Sequence, residues 1–166
     1  MAIFPIRTFP DPVLRLPATP VGAGSAELRR LVDDMTETMY AAPGVGLAAP
    51  QIGVSLRVIV FDAGDGAHHM LNPVLEATSG EYLYEEGCLS VPDRYWPIER
   101  PAFARVRGRD LAGRDVVFEG EELMGRVLQH EVDHLDGILL LKRLSRRERK
   151  EALRELRLEA MERGGG

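Results

Sequence analysis

Gln129-His130-Glu131-Val132-Asp133-His134-Leu135-Asp136-Gly137 closes a stretch, residues 121–136, with neither strand alternation nor Gly–Pro punctuation apart from Gly125. Leu123, Met124, Val127, Leu128, Val132 and Leu135 point around most of a helical wheel. A helix apolar on nearly all sides is a buried one. Gly137 stands where a helix stops. The spacing therefore predicts a central helix that the rest of the chain must cover.

The same stretch carries chemistry. Residues four apart on a helix lie about 40° apart around the axis and one turn along it. His130 and His134 can thus hold one metal ion from a single face. Glu131 is rotated about 100° from His130. That places a base beside the metal without forcing it to become a ligand, the two-ligand, one-base logic of metallohydrolases. Leu123, Val127, His130 and His134 fall within about 60° of one another, so the pair sits on an apolar stripe facing the interior. A lone histidine is ordinarily a satisfied core or surface residue. Two of the four in the chain, with Glu between them on an apolar helix, favour a metal site.

Two ligands need a third. Cys88 is the only cysteine, in Glu86-Gly87-Cys88-Leu89-Ser90, where Gly87 permits close backbone approach. Its thiolate would be a strong donor to Zn²⁺ or Fe²⁺; read alone, it is more commonly a small buried hydrophobe. A fourth ligand from His68 or His69 would make the site closed and structural, whereas an open position would make it catalytic. The intervening Glu131 favours catalysis.

Working outward, residues 1–24 hold five prolines and read as an irregular, extended arm. Ser25 is an N-cap, and Leu28, Leu31, Val32, Met35 and Met39 recur at helical spacing to about Ala41. Residues 56–61, 69–75 and 81–84 read as strands. Residues 103–111 and 116–118 form a hairpin turning at Ala112-Gly113. Ser145-Arg146-Arg147-Glu148 has the form of a capping box for a surface helix to about Glu162. Gly164-Gly165-Gly166 reads as a frayed end. Strands and helices do not alternate regularly, which argues α+β rather than a doubly wound sheet. No repeat is evident, and the 166 residues fit one domain, 1–166.

Composition narrows the class. With 45% hydrophobic and 28% charged residues the chain reads as soluble and globular. It has no membrane-length apolar run and no charged leader before an apolar core. One cysteine forbids an internal disulfide, which suits a reducing cytoplasm. Residues 142–166 carry nine Lys+Arg against five Asp+Glu, and the rest twelve against twenty-one. An acidic body disfavours general nucleic-acid binding, and no specific DNA is expected as a partner.

A second glycine-bearing segment, Gly44-Val45-Gly46-Leu47-Ala48-Ala49-Pro50-Gln51, follows the first helix. By itself it is foremost a plain turn. It could also pair with a substrate backbone as an added strand, and Gln51 could face a developing oxyanion.

Taken together, residues 44–51, 86–90 and 129–137, in that order and at those separations, closely resemble the three signature motifs of the peptide deformylases. Asp11-Pro12-Val13-Leu14-Arg15 and Leu31-Val32-Asp33-Asp34-Met35 are also similar to that family. The resemblance covers the chain from about Ile6 to about residue 160. It implies an α+β fold with antiparallel sheets around the metal helix and a C-terminal helix. It implies a hydrolase of protein biosynthesis that removes the formyl group from the N-terminal formyl-methionine of new polypeptides. It further implies one divalent metal, Fe²⁺ most often, with Zn²⁺, Ni²⁺ or Co²⁺ also able to occupy the site. Carried over by position, Cys88, His130 and His134 are the ligands and Glu131 the base; Gln51 and the Leu89 N–H stabilise the oxyanion. Val45 and Gly46 match the substrate-backbone strand. Val45, Leu123 and Val127 are candidates for the methionine pocket, the last two because they share the histidine stripe.

Two other classes stand beside this reading. A zinc metallopeptidase would share the two-His helix but take a further His or Glu in place of Cys88. A protein with a purely structural metal would have no use for Glu131 and Gln51. Arg126 reads either as a residue of the groove rim or as a solvated charge, and residues 93–98 match no pattern of the family. Lys142, Arg143, Arg146, Arg147, Arg149 and Lys150 offer a ribosomal RNA contact. The favoured reading there is a solvated face balanced by Glu148, Glu151 and Glu155.

Overall fold

The computed structural model describes residues 2–164; Gly165 and Gly166, expected to fray, lie outside them. The first helix, α1 (Ala26–Ala41), begins at Ser25, whose hydroxyl accepts from Leu28 N–H at 3.1 Å. Seven strands follow: β1 (Gly46–Ala48), β2 (Val58–Phe61), β3 (His68–Ser79), β4 (Tyr82–Cys88), β5 (Val91–Arg100), β6 (Phe103–Arg109) and β7 (Asp115–Glu121). The central helix is α2 (Glu122–Leu135), and α3 (Arg146–Gly164) ends the described chain.

The strands form an antiparallel five-stranded sheet, β1-β2-β3-β6-β7, and a separate β4–β5 hairpin. This is the expected α+β architecture. Val58-Ile59-Val60-Phe61 is apolar at every position because β2 is covered on both faces. Val58 and Val60 pack with α1 residues Val32, Met35 and Met39. Ile59 and Phe61 pack with Val127, Leu128 and Leu135 of α2. Side chains alternate across a strand, so each face meets its own helix.

α2 is buried from Gly125 to Leu135. It stops where the sequence places the stop. Gly137 takes φ +74°, and its N–H reaches the His134 carbonyl at 3.1 Å while Ile138 N–H reaches the Asp133 carbonyl at 2.9 Å. This is the Schellman pattern, and it satisfies carbonyls the helix leaves unpaired. A third core joins Leu139, Leu140, Leu141 and Leu144 to Val91, Ile98 and the α3 residues Ala152 and Leu156. Among the described residues no helix is long and apolar enough to cross a membrane.

Several expectations need correction. The arm is not wholly irregular: Pro12–Arg15 forms a 3-10 turn capped by Asp11. Strand β5 was not visible in the sequence. Pro92 and Pro97 break its pattern, yet a two-stranded sheet leaves each strand one free side on which proline is tolerated. The β6–β7 hairpin does form as expected, with Ala112 and Gly113 inside a turn from Asp110 to Arg114, where the Asp110 carboxylate accepts from Ala112 N–H at 2.9 Å and Arg114 N–H at 3.0 Å. Of the acids expected to balance the basic face of α3, Glu151 does pair along the helix, with Arg147 at 3.9 Å, but Arg94 of β5 takes Glu155 together with Glu159, and Glu148 accepts from the Ser145 hydroxyl in the expected capping box.

Candidate metal centre

Cys88 Sγ, His130 Nε2 and His134 Nε2 converge, brought together from β4 and α2. His134 Nε2 lies 3.4 Å from Cys88 Sγ and 3.2 Å from His130 Nε2. Bond lengths of about 2.0 Å to nitrogen and 2.3 Å to sulfur in a tetrahedral site separate the donors by roughly 3.3–3.6 Å. The donor set and its spacing therefore fit one divalent metal. His68 and His69 do not join it. His68 packs on Phe61 and Phe118, and His69 Nε2 accepts from Leu111 N–H at 3.1 Å. The closed structural site that either could have completed does not form.

His130 has a fixed orientation. Its Nδ1–H donates to Glu86 Oε2 at 2.8 Å, which directs Nε2 toward Cys88 and His134. Glu86 was not singled out in the sequence. A signal existed: it lies two residues before Cys88, hence on the same face of an extended strand. Burial alone would push its carboxyl up. Hydrogen bonds from His130 and Arg100, and their charges, outweigh burial and hold it well below the usual range. Without a metal the two imidazoles are driven apart. Burial pushes both down, but Cys88, Glu86 and Glu131 raise His130 well above its ordinary value, while His130 lowers His134 further.

Glu131 is buried, and its Oε1 has no hydrogen-bond partner among the described residues. Burial pushes its carboxyl up to about 7, with His130 pulling down and Glu86 pushing up. Such a value suits a group that exchanges protons near neutrality. Gln51 sits beside the triad. Its Nε2 donates to Ser90 Oγ at 3.1 Å and lies 3.8 Å from Cys88 Sγ, while its Oε1 accepts from Ala48 N–H at 2.9 Å.

A groove of about 840 Å³ opens over these groups. Val45, Gly46, Leu89, Leu123 and Val127, all singled out in the sequence, line it together. One wall is the free edge of β1, the end strand of its sheet. Val45 C=O accepts from Asp62 N–H at 2.9 Å. Antiparallel alternation then turns the Gly46 N–H and C=O away from β2, toward the groove. Arg126 is among the residues that line the groove and is not a solvated charge. It is buried, and it bonds Glu86 and two backbone carbonyls.

The chain is similar to known proteins in sequence and in fold. Residues 3–150 match the family described as polypeptide deformylase. A peptide deformylase of Acidothermus cellulolyticus is 50% identical over 157 residues, 95% of this chain and 87% of its own. The solved peptide deformylase of Thermus thermophilus has a TM-score of 0.88 at 45% identity and covers 95% of each chain. That of Ehrlichia chaffeensis, solved in complex with actinonin, has a TM-score of 0.90 at 36% identity, covering 96% of this chain and 98% of its own. With motifs, fold and near-complete coverage in agreement, the chain belongs to the polypeptide deformylase family.

Proposed function

We propose that this chain hydrolyses the N-formyl group of N-formyl-methionyl nascent polypeptides, with Cys88, His130 and His134 holding one divalent metal and Glu131 moving the proton. The observation that carries this reading is the convergence of those three donors beside a buried Glu131, whose Oε1 has no partner among the described residues, at the foot of a groove. A metallopeptidase with the same helix would draw its third ligand from His or Glu; Cys88 in that position favours the deformylase.

Cys88, His130 and His134 would hold the divalent metal, which would supply Lewis acidity and a water that is nucleophilic near neutral pH. Glu131 accepts the proton of the attacking water at its carboxylate and returns it to the leaving amine. Gln51 Nε2 and the Leu89 N–H donate to the oxyanion that forms on the formyl group. Gly46 pairs with the substrate backbone along the β1 edge, and Val45, Leu123 and Val127 receive the methionine side chain. The donor set suits Fe²⁺ and Zn²⁺ alike, with Ni²⁺ or Co²⁺ as substitutes; we assign Fe²⁺ first, on the family's habit.

The test is hydrolysis of formyl-Met and acetyl-Met peptides by anaerobically purified protein. Formyl-selective release is expected. No turnover of either at full metal occupancy would overturn the reading. A cytoplasmic location follows from a substrate made by ribosomes. Lys142, Arg146, Arg147 and Lys150 are exposed and could meet ribosomal phosphates. Ribosome co-sedimentation that charge reversal leaves unaltered would dismiss that contact.

A further inference from the structure

The ligand set is divided between two elements that share no backbone ladder. Cys88 ends β4 in the two-stranded hairpin, whereas His130 and His134 lie on α2. The hairpin is not hydrogen-bonded into the five-stranded sheet. The distance from thiolate to imidazoles is therefore set by whatever fastens hairpin to helix.

Arg126 spans that junction. It lies on α2 one turn before His130 and is 6% exposed. Its Nη1 donates to Glu86 Oε1 at 2.7 Å, and its Nη2 donates to the carbonyls of Tyr82 at 2.7 Å and Ile98 at 3.0 Å. One side chain thus bonds both strands of the hairpin. The guanidinium also lies 5.5 Å from the Tyr82 ring centre and 5.9 Å from that of Tyr84, and those rings stack on each other. Arg100 extends the same fastening from β5, reaching Glu86 at 2.8 Å and Asp133 of α2 at 2.9 Å.

We propose that Arg126 is a positioning residue for the metal site: it locks the β4–β5 hairpin onto α2, and so fixes Cys88 against His130 and His134 and limits metal escape. The proposal rests on those three residues being the ligands. Its chemistry calls for arginine. The planar fork satisfies a carboxylate and two carbonyls at once, whereas a lysine ammonium is one point charge on a flexible stem. Loss of the fork leaves the Ile98 and Tyr82 carbonyls, the first buried and the second partly so, short of a donor, and Glu86 with fewer bonds to hold His130.

The test uses protein loaded with Co²⁺, comparing wild type with Arg126→Met, Arg126→Lys and the exposed control Arg107→Met. Two quantities are read: the rate of metal transfer to excess chelator and the thiolate-to-cobalt charge-transfer absorption. Both Arg126 variants should release metal about tenfold faster or more, with a weakened or shifted band, and Arg107→Met should match wild type. A folded Arg126→Met with wild-type release and band overturns the proposal. If that variant does not fold, Arg126→Lys decides on the same two readings. Faster release with an unaltered band also overturns it, because Cys88 would not have moved. The failure of the ligand reading looks different: wild type itself would show no thiolate band. Neither readout involves the formyl substrate, so a failure of the deformylase reading is detected separately.

Discussion

A Cβ on residue 46 would lie 2.9 Å from Glu131 Cδ. The β1 edge can run past the candidate base only because residue 46 is glycine. Glu131 in turn is held against the strand along which the substrate backbone would lie. Strand and base share one boundary, so a change in either reaches the other.

Gly46→Ala should therefore displace the Glu131 carboxylate and leave the ligands in place. A fall in kcat of about tenfold or more is expected, at unchanged metal content, against the roughly 10²–10⁴-fold that a positioned acid–base group supplies. Steady-state kinetics with metal analysis checks this. An unaltered kcat would show that Glu131 has room to spare.

Glu131→Ala should retain the metal and lose formate release by about 10²–10⁴-fold. Undiminished turnover would remove Glu131 from the mechanism.

In the metal-free protein Glu131 also carries a pH signature. Its folded value of about 7 lies above the ordinary 4.5, so the fold favours the protonated form. The group costs no stability below pH 4.5; the penalty grows from there to about pH 7 and is then constant, at about 3 kcal/mol. Glu131→Gln cannot ionise and escapes it. Urea unfolding from about pH 4 to 8 should show the variant gaining on wild type as pH rises. A constant difference across that window would mean that the buried carboxyl ionises as freely as in the unfolded chain.

Gln51→Leu removes a donor beside the triad and should raise the barrier by about 2.7–4 kcal/mol, roughly 10²–10³ in kcat. KM should move little. A change confined to KM would assign Gln51 to shaping the loop through its bond to Ala48 N–H.

The three helices were legible because their signals are local. Ser25, Gly137 and Ser145 cap or stop them within four residues of the groups they satisfy. The ligand pair was legible for the same reason, since helical phase alone puts His130 and His134 on one face. Strand β5 was not, because its prolines contradict a strand until β4 pairs with it.

The sequence by itself thus determined the chemical types at the site, the helix that carries two of them, and, through the three motifs, the family. Only the tertiary structure decided that Glu86 orients His130, that Arg126 is buried between helix and hairpin, and that Gly46 abuts Glu131. Each of these joins residues 28 or more positions apart. A buried charge is tolerable only when its partners arrive, and no local pattern announces partners that distant.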